Sequence, residues 1–181
     1  MRFRETELPG AFVVELSPHA DERGSFARAF CEEEFAAHGL PSRFPQCNIS
    51  RNTARGTLRG MHYNAAPHAE SKLVRCTSGS IWDVIVDLRP GSPTRFRWLG
   101  VELSAQSGDA LFVPEGFAHG FLTLRADSEV FYMMGRSYLA GAARGFRWND
   151  PRIGIRWPEP PRVLSGPDRS WPDFDEASFD G

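Results

Sequence analysis

Arg59, His62 and Lys72 stand close together in the chain, the first two in Leu58-Arg59-Gly60-Met61-His62-Tyr63 and the lysine ten residues after the histidine. Two fixed cations beside one imidazole suit chemistry on an anion. A neutral imidazole titrates close to physiological pH and can take a proton. A proton leaves carbon easily only next to a carbonyl, and the oxyanion so formed needs the positive charge that Lys72 and Arg59 can supply. If a proton returns to the opposite face, the centre is inverted. That return requires an acid across the substrate, and the phenol of Tyr132 is the best such group in the chain.

A second block, Gly108-Asp109-Ala110-Leu111-Phe112-Val113-Pro114-Glu115-Gly116-Phe117-Ala118-His119, reads as a strand, a tight turn and a further strand bearing a histidine. A metal is the competing use for His62 and His119. Transition-metal sites usually want three or four protein ligands. The run His62-Tyr63-Asn64 offers one histidine and no third ligand is evident, so neither a metal nor a redox cofactor is expected.

These residues must be positioned by a mostly β chain. Seventeen glycines and fourteen prolines punctuate short β-branched and aromatic runs, the pattern of an antiparallel sandwich or barrel. Strands are expected at 11–16, 25–30, 44–50, 57–62, 72–77, 80–88, 95–103, 110–113, 119–123 and 129–134, with one helix at 32–38. In Ile81-Trp82-Asp83-Val84-Ile85-Val86-Asp87-Leu88 both faces of the strand period carry apolar residues. A barrel whose lumen receives Ile81, Asp83, Ile85 and Asp87 accommodates that. The two acids are expected either to pair with Lys72 or His119 in the lumen or to serve the fold alone.

At 181 residues and 41% hydrophobic content the chain suits one domain, since a chain of this size buries roughly 70% of its unfolded surface. The formal charge of -2, from 21 bases against 23 acids without a long single-sign run, argues against a nucleic-acid surface. Three cysteines without a CxxC pair argue against a disulfide framework and fit a reducing compartment. Neither a signal peptide nor the ~20 apolar residues of a membrane helix is found. A cytoplasmic protein with no membrane association is the expectation.

Seven blocks in order carry a family resemblance: Asp21-Glu22-Arg23-Gly24, Gln46-Cys47-Asn48-Ile49-Ser50, the Leu58–Tyr63 run, Lys72-Leu73-Val74-Arg75-Cys76, Pro114 to Phe121, Trp148-Asn149-Asp150-Pro151 and Leu164-Ser165. The chain resembles the dTDP-4-dehydrorhamnose 3,5-epimerases, metal-free cupin epimerases of nucleotide-linked 4-keto-6-deoxy sugars. The resemblance implies a cupin-type antiparallel β-barrel, a jelly roll with a few short helices. It implies a catalytic set of His62 as base, Asp168 as its paired carboxylate, Tyr132 as acid and Lys72 near the keto oxygen. Arg59, Gln46 and Asn48 would hold pyrophosphate and sugar, with Tyr138 a further ring and His119 a substrate contact that is mainly structural.

The resemblance also implies a homodimer in which residues 1–50 lend strands to the partner, so that Arg23, Phe26 and Arg28 reach the partner's nucleotide. Residues 139–181 are expected to form an irregular C-terminal arm on the same single domain, fraying from Asp173 to Gly181. His19 and His38 are assigned to the surface and His68 to a loop. Two features depart from the thymidine-sugar members of the family. Arg28 replaces an acidic residue near the base, and Met133 replaces the lysine after the acid tyrosine, which with Met134 suggests a softer sugar-pocket wall. The base therefore stays open among thymidine, cytidine and guanosine, as does inversion at C3, C5 or both. A ketoisomerase using His119 as second base, a non-catalytic sugar-nucleotide binding cupin and a metal-dependent cupin are the alternatives.

Overall fold

The computed structural model describes residues 1–176, and the part of the expected fraying segment at 177–181 lies outside the described residues. Thirteen strands and two short helices follow in order: β1 (Arg2–Glu5), β2 (Phe12–Glu15), β3 (His19–Asp21), β4 (Gly24–Phe26), α1 (Glu32–Ala37), β5 (Gln46–Asn52), β6 (Leu58–Asn64), β7 (Lys72–Ser78), β8 (Ser80–Asp87), β9 (Trp98–Ser104), β10 (Ala110–Val113), β11 (Phe117–Thr123), β12 (Ser128–Met134), β13 (Ala143–Gly145) and α2 (Gly166–Ser170). A six-stranded sheet runs β1-β2-β10-β7-β12-β5 and a five-stranded sheet runs β13-β6-β11-β8-β9. All strand pairs in both are antiparallel.

The two sheets face each other across a shared apolar interior. Val13, Val74, Leu111 and Val130 come from the six-stranded sheet, while Ile81, Ile85, Leu103 and Phe121 come from the five-stranded one. The outer faces are covered too. Met61, Tyr63, Val84, Val86 and Leu88 pack under Phe146, Ile153 and Phe174 of the C-terminal arm. Val14, Leu73 and Phe112 pack under Phe35 of α1 and Leu40. Burial on both faces is why Ile81–Leu88 reads as an almost continuous apolar run instead of a clean alternation.

The two acids of β8 diverge in role. Asp83 meets His119, whereas Asp87 is wholly buried and accepts hydrogen bonds from Arg89, from Ser92 Oγ at 2.6 Å and from Thr94 Oγ1 at 2.7 Å. Asp87 therefore fixes the β8–β9 connection and does not position Lys72 or His119. Burial pushes its carboxyl up, but these hydrogen bonds outweigh that and leave it below the ordinary carboxylate range.

Other expectations need adjusting. The strand expected at 25–30 ends at Phe26 because Phe30 turns into an aromatic group with Phe35 and Phe44. The strand expected from Arg95 begins at Trp98, after Phe96 has taken a left-handed φ of 67°. β1, β3, β13 and α2 lie outside the expected elements.

The N-terminal region divides. β1, β2 and β5 belong to this chain's own six-stranded sheet, while the β3–β4 hairpin joins neither main sheet and all its residues are exposed. The C-terminal arm is also more regular than expected. It is stitched along β6 by β13, by reciprocal bonds between Met61 and Phe146 and by Leu58 N–H to Val163 O. Asp150 locks it by accepting N–H bonds from Arg152, Ile153 and Phe174. Asp173 and Phe174, expected to fray, are held by the Arg147 ion pair and by burial respectively. Among the described residues no helix is long and apolar enough to cross a membrane.

Candidate active site

A cavity of about 200 Å³ opens between the sheets, lined by Asn48, Ile49, Ser50, Arg59, His62, Lys72, His119, Phe121, Tyr132 and Met134. The six-stranded sheet supplies Asn48, Ser50, Lys72, Tyr132 and Met134, and the five-stranded sheet supplies Arg59, His62, His119 and Phe121. His62 and Tyr132 thus stand on opposite walls.

Along most of these strands the period of two does the positioning: Asn48 and Ser50, His119 and Phe121, Tyr132 and Met134. Strand β6 departs from it. Its register with β11 shifts, pairing His119 with His62 but Phe121 with Arg59, so β6 carries one extra residue there. The bulge falls at Gly60 and Met61, opposite Gly120. A Cβ on Gly60 would lie 2.7 Å from Gly120 Cα, and one on Gly120 would lie 2.8 Å from Arg59 O. Gly60 also has φ of 140°, which side-chain-bearing residues rarely adopt. Two glycines permit the close approach, and Arg59 and His62 both reach the cavity.

Behind His62 stands Asp168, with His62 Nε2 to Asp168 Oδ1 at 2.6 Å. The imidazole side chain is 42% exposed and the carboxylate 5%, so one end of the pair faces the cavity while the other is fixed. Asp168 owes its place to the sequence Ser165-Gly166-Pro167-Asp168. Ser165 caps α2 by accepting the Asp168 N–H at 3.1 Å, and Pro167 fits the first turn, where no N–H is needed. Burial pushes the Asp168 carboxyl up, but hydrogen bonding and attraction from His62, with a bond from Ser165, hold it below its ordinary value.

A second imidazole–carboxylate pair lies deeper. His119 Nε2 is 2.8 Å from Asp83 Oδ1, and both side chains are buried. The ring of His119 meets that of Tyr132 edge-on at 6.0 Å. Burial, reinforced by the charge of Asp83 and opposed by that of Arg59, drives the Tyr132 phenol well above its ordinary value. It is held as a protonated donor.

Lys72 sits 3.3 Å from Glu70, and Arg59 donates to Asn52 Oδ1 at 2.8 Å. Among the described residues no three His, Cys, Asp or Glu side chains converge on one point; His62 and His119 each face a carboxylate.

The remaining candidate residues lie outside this cavity. Gln46 bridges Asn48 and the backbone N–H of Tyr138, whose ring is 75% exposed. Arg23 pairs with Asp21 on the free hairpin, Phe26 is 79% exposed beside it, and Arg28 pairs with Glu34. Met134 lines the cavity, but Met133 points to the outer cluster around Phe35. It is not part of the pocket wall, because adjacent strand residues face opposite sides. Ser50 and Phe121 join the expected residues in the lining, each two positions from one of them. Glu70, in a loop, gave no such signal.

The chain is similar to known proteins over nearly its whole length. The dTDP-4-dehydrorhamnose 3,5-epimerase family matches residues 5–176. A dTDP-4-dehydrorhamnose 3,5-epimerase of Shigella flexneri is 41% identical over 180 residues, covering 99% of each chain. The crystal structure of the Bacillus anthracis dTDP-4-dehydrorhamnose 3,5-epimerase with TDP and PPi bound superimposes with a TM-score of 0.92 at 38% identity, covering 96% of this chain and 99% of that one. A 3'-monoepimerase from Streptomyces bikiniensis in complex with dTDP-quinovose gives 0.87 at 32%, covering 94% and 86%.

Proposed function

The chain belongs to the dTDP-4-dehydrorhamnose 3,5-epimerase family and is an epimerase acting at C3/C5 of a dTDP-4-keto-6-deoxyhexose; from that premise we propose that His62 is its base and Tyr132 its acid. His62 takes the proton from carbon next to the C4 ketone, and the bond electrons move into the carbonyl to give an enolate. Lys72 stabilises the developing oxyanion. Tyr132 gives its phenolic proton to the opposite face of the same carbon, and the ketone re-forms with that centre inverted. Afterwards His62 is protonated and Tyr132 is a phenolate, and exchange with solvent resets both.

Asp168 orients the imidazole and supports the charge it gains, a carboxylate role known from other imidazole bases. Arg59 and Asn48 hold the anionic pyrophosphate and sugar. The dTDP moiety is bound with help from a neighbouring subunit, whose β3–β4 hairpin brings Arg23 and Phe26 to it, with Arg28 just beyond the hairpin. The enzyme on this reading is a homodimer.

The observation that carries the reading is the pairing of a half-exposed His62 on one wall, backed by a buried carboxylate, with a protonated Tyr132 on the opposing sheet. Incubation with the dTDP-4-keto-6-deoxy sugar in deuterated water, read by proton NMR, tests it. Loss of the C3 and C5 proton signals with inverted product is expected. His62→Ala should abolish the loss, and exchange by that variant at the parent rate would remove His62 as the base. Label at C3 alone would make this chain a 3-monoepimerase.

A further inference from the structure

We infer that Trp171 is a positioning residue for the His62–Asp168 pair, its indole N–H acting as a further donor to the Asp168 carboxylate. The inference rests on the reading of His62 as the base. Trp171 directly follows α2, three residues beyond Asp168, and its backbone N–H returns to Pro167 O at 3.1 Å, so the end of the helix fixes it next to the carboxylate.

Its ring has been given room. Gly145 pairs in register with His62, and a Cβ on Gly145 would lie 2.5 Å from Trp171 Cε2. Only a glycine there lets the indole lie against β13. The ring then stands 6.3 Å from the His62 imidazole at 66°. It forms a wall beside the dyad.

The indole nitrogen supplies the second observation. Trp171 Nε1 is buried and makes no hydrogen bond of ordinary geometry among the described residues, and a buried N–H without an acceptor is costly. His62 occupies Asp168 Oδ1, which leaves Oδ2 to accept. Burial pushes the Asp168 carboxyl up, and Trp171 is one of the groups, after His62 and Ser165, that pull it back down. A donor on the far oxygen draws charge away from the bond to His62. The carboxylate then holds the imidazole in orientation without gripping its proton so tightly that the base is blocked.

The other charged or titratable groups around the pair are Arg59 and His119 on the same sheet as His62, Lys72 and Tyr132 across the cavity, Arg144 on β13 and Arg169 on α2. Trp171→Phe leaves all of them in place, keeps most of the ring and removes the N–H. The acid limb of kcat/KM against pH should move up by about half a unit, with KM unchanged, because the carboxylate now stabilises the imidazolium more strongly. A limb that stays put, or a loss confined to KM, would reduce Trp171 to packing.

A measurement that keeps Trp171 in place covers the case of a poorly folded Trp171→Phe. The indole N–H signal of Trp171, identified by its proximity to the His62 ring protons, should shift in Asp168→Asn, and an unmoved signal overturns the inference. His62→Asn is the control that separates the two readings. If it abolishes deuterium exchange while Trp171→Phe leaves the limb unmoved, the base stands and the role of Trp171 falls; if it keeps exchange, the base itself is wrong.

Discussion

Arg59 and His62 are three positions apart on β6 yet open into the same cavity, because β6 carries one more residue than β11 between their two register pairs. In a regular strand they would face opposite sides, one inside and one against the C-terminal arm. The bulge puts a fixed cation and a titratable ring within reach of one ligand.

The bulge depends on the contact of Gly60 with Gly120, where a Cβ on Gly120 would press on Arg59 O and Met61 Sδ. Gly120→Ala should cost about 1–3 kcal/mol, as overpacked sites do. It should also lower kcat/KM by more than the loss of folded protein explains, because Arg59 and His62 are re-aimed. Chemical denaturation and steady-state kinetics on the folded fraction check this; unchanged stability would show that the strands separate freely.

Tyr132→Phe separates the two proton transfers. With the acid gone and His62 intact, deuterium should enter C3 or C5 at a rate close to the parent's while inversion falls by about 10²–10⁴-fold. The label should appear with retained configuration, since His62 returns an exchanged proton to the face it left. Epimer formed at the parent rate would assign the acid role to another group.

The free β3–β4 hairpin allows a test by complementation. Arg23→Ala should be weakly active alone and His62→Ala inactive. When the two are co-expressed, a mixed dimer has one site with an intact His62 and Arg23 from the other subunit. About a quarter of parental activity should return if subunits pair at random. No recovery in a verified mixed dimer would mean that Arg23 serves the site of its own chain.

Acid stability should report Asp87 and Asp168. Both carboxyls are held below their ordinary value in the folded chain. Each therefore stabilises the fold at pH above about 4, and the contribution is lost as pH falls through the depressed folded value. Asp87→Asn should lower stability at neutral pH and flatten its fall in acid, as measured by denaturant midpoints across the acid range. An equal loss at all pH values would mean that Asp87 acts through packing alone.

The fold class was legible because β patterning is local. Short runs such as Lys72–Ser78, which ends at Gly79, and Phe117–Thr123, which follows Pro114 and Gly116, show strands from the residues themselves. Most of the cavity followed, since once His119 and Tyr132 are taken as inward, alternation carries Phe121 and Met134 with them. The same rule turns Met133 outward, against the first reading of it as pocket wall.

Strand content, the titratable inventory and family identity, the last through blocks spread over the whole length, could thus be read from the residues in order. Which residues meet depends on packing. The residues of the His62–Asp168 pair are 106 positions apart and meet because the arm is stitched along β6. Asp83 and Asp87, alike in sequence, part company because one faces His119 while the other meets the loop before β9. The shared face of Arg59 and His62 rests on the contact between Gly60 and Gly120 on neighbouring strands. Such contacts are set by how separate strands come together in space, and the periodicity of any single strand does not contain them.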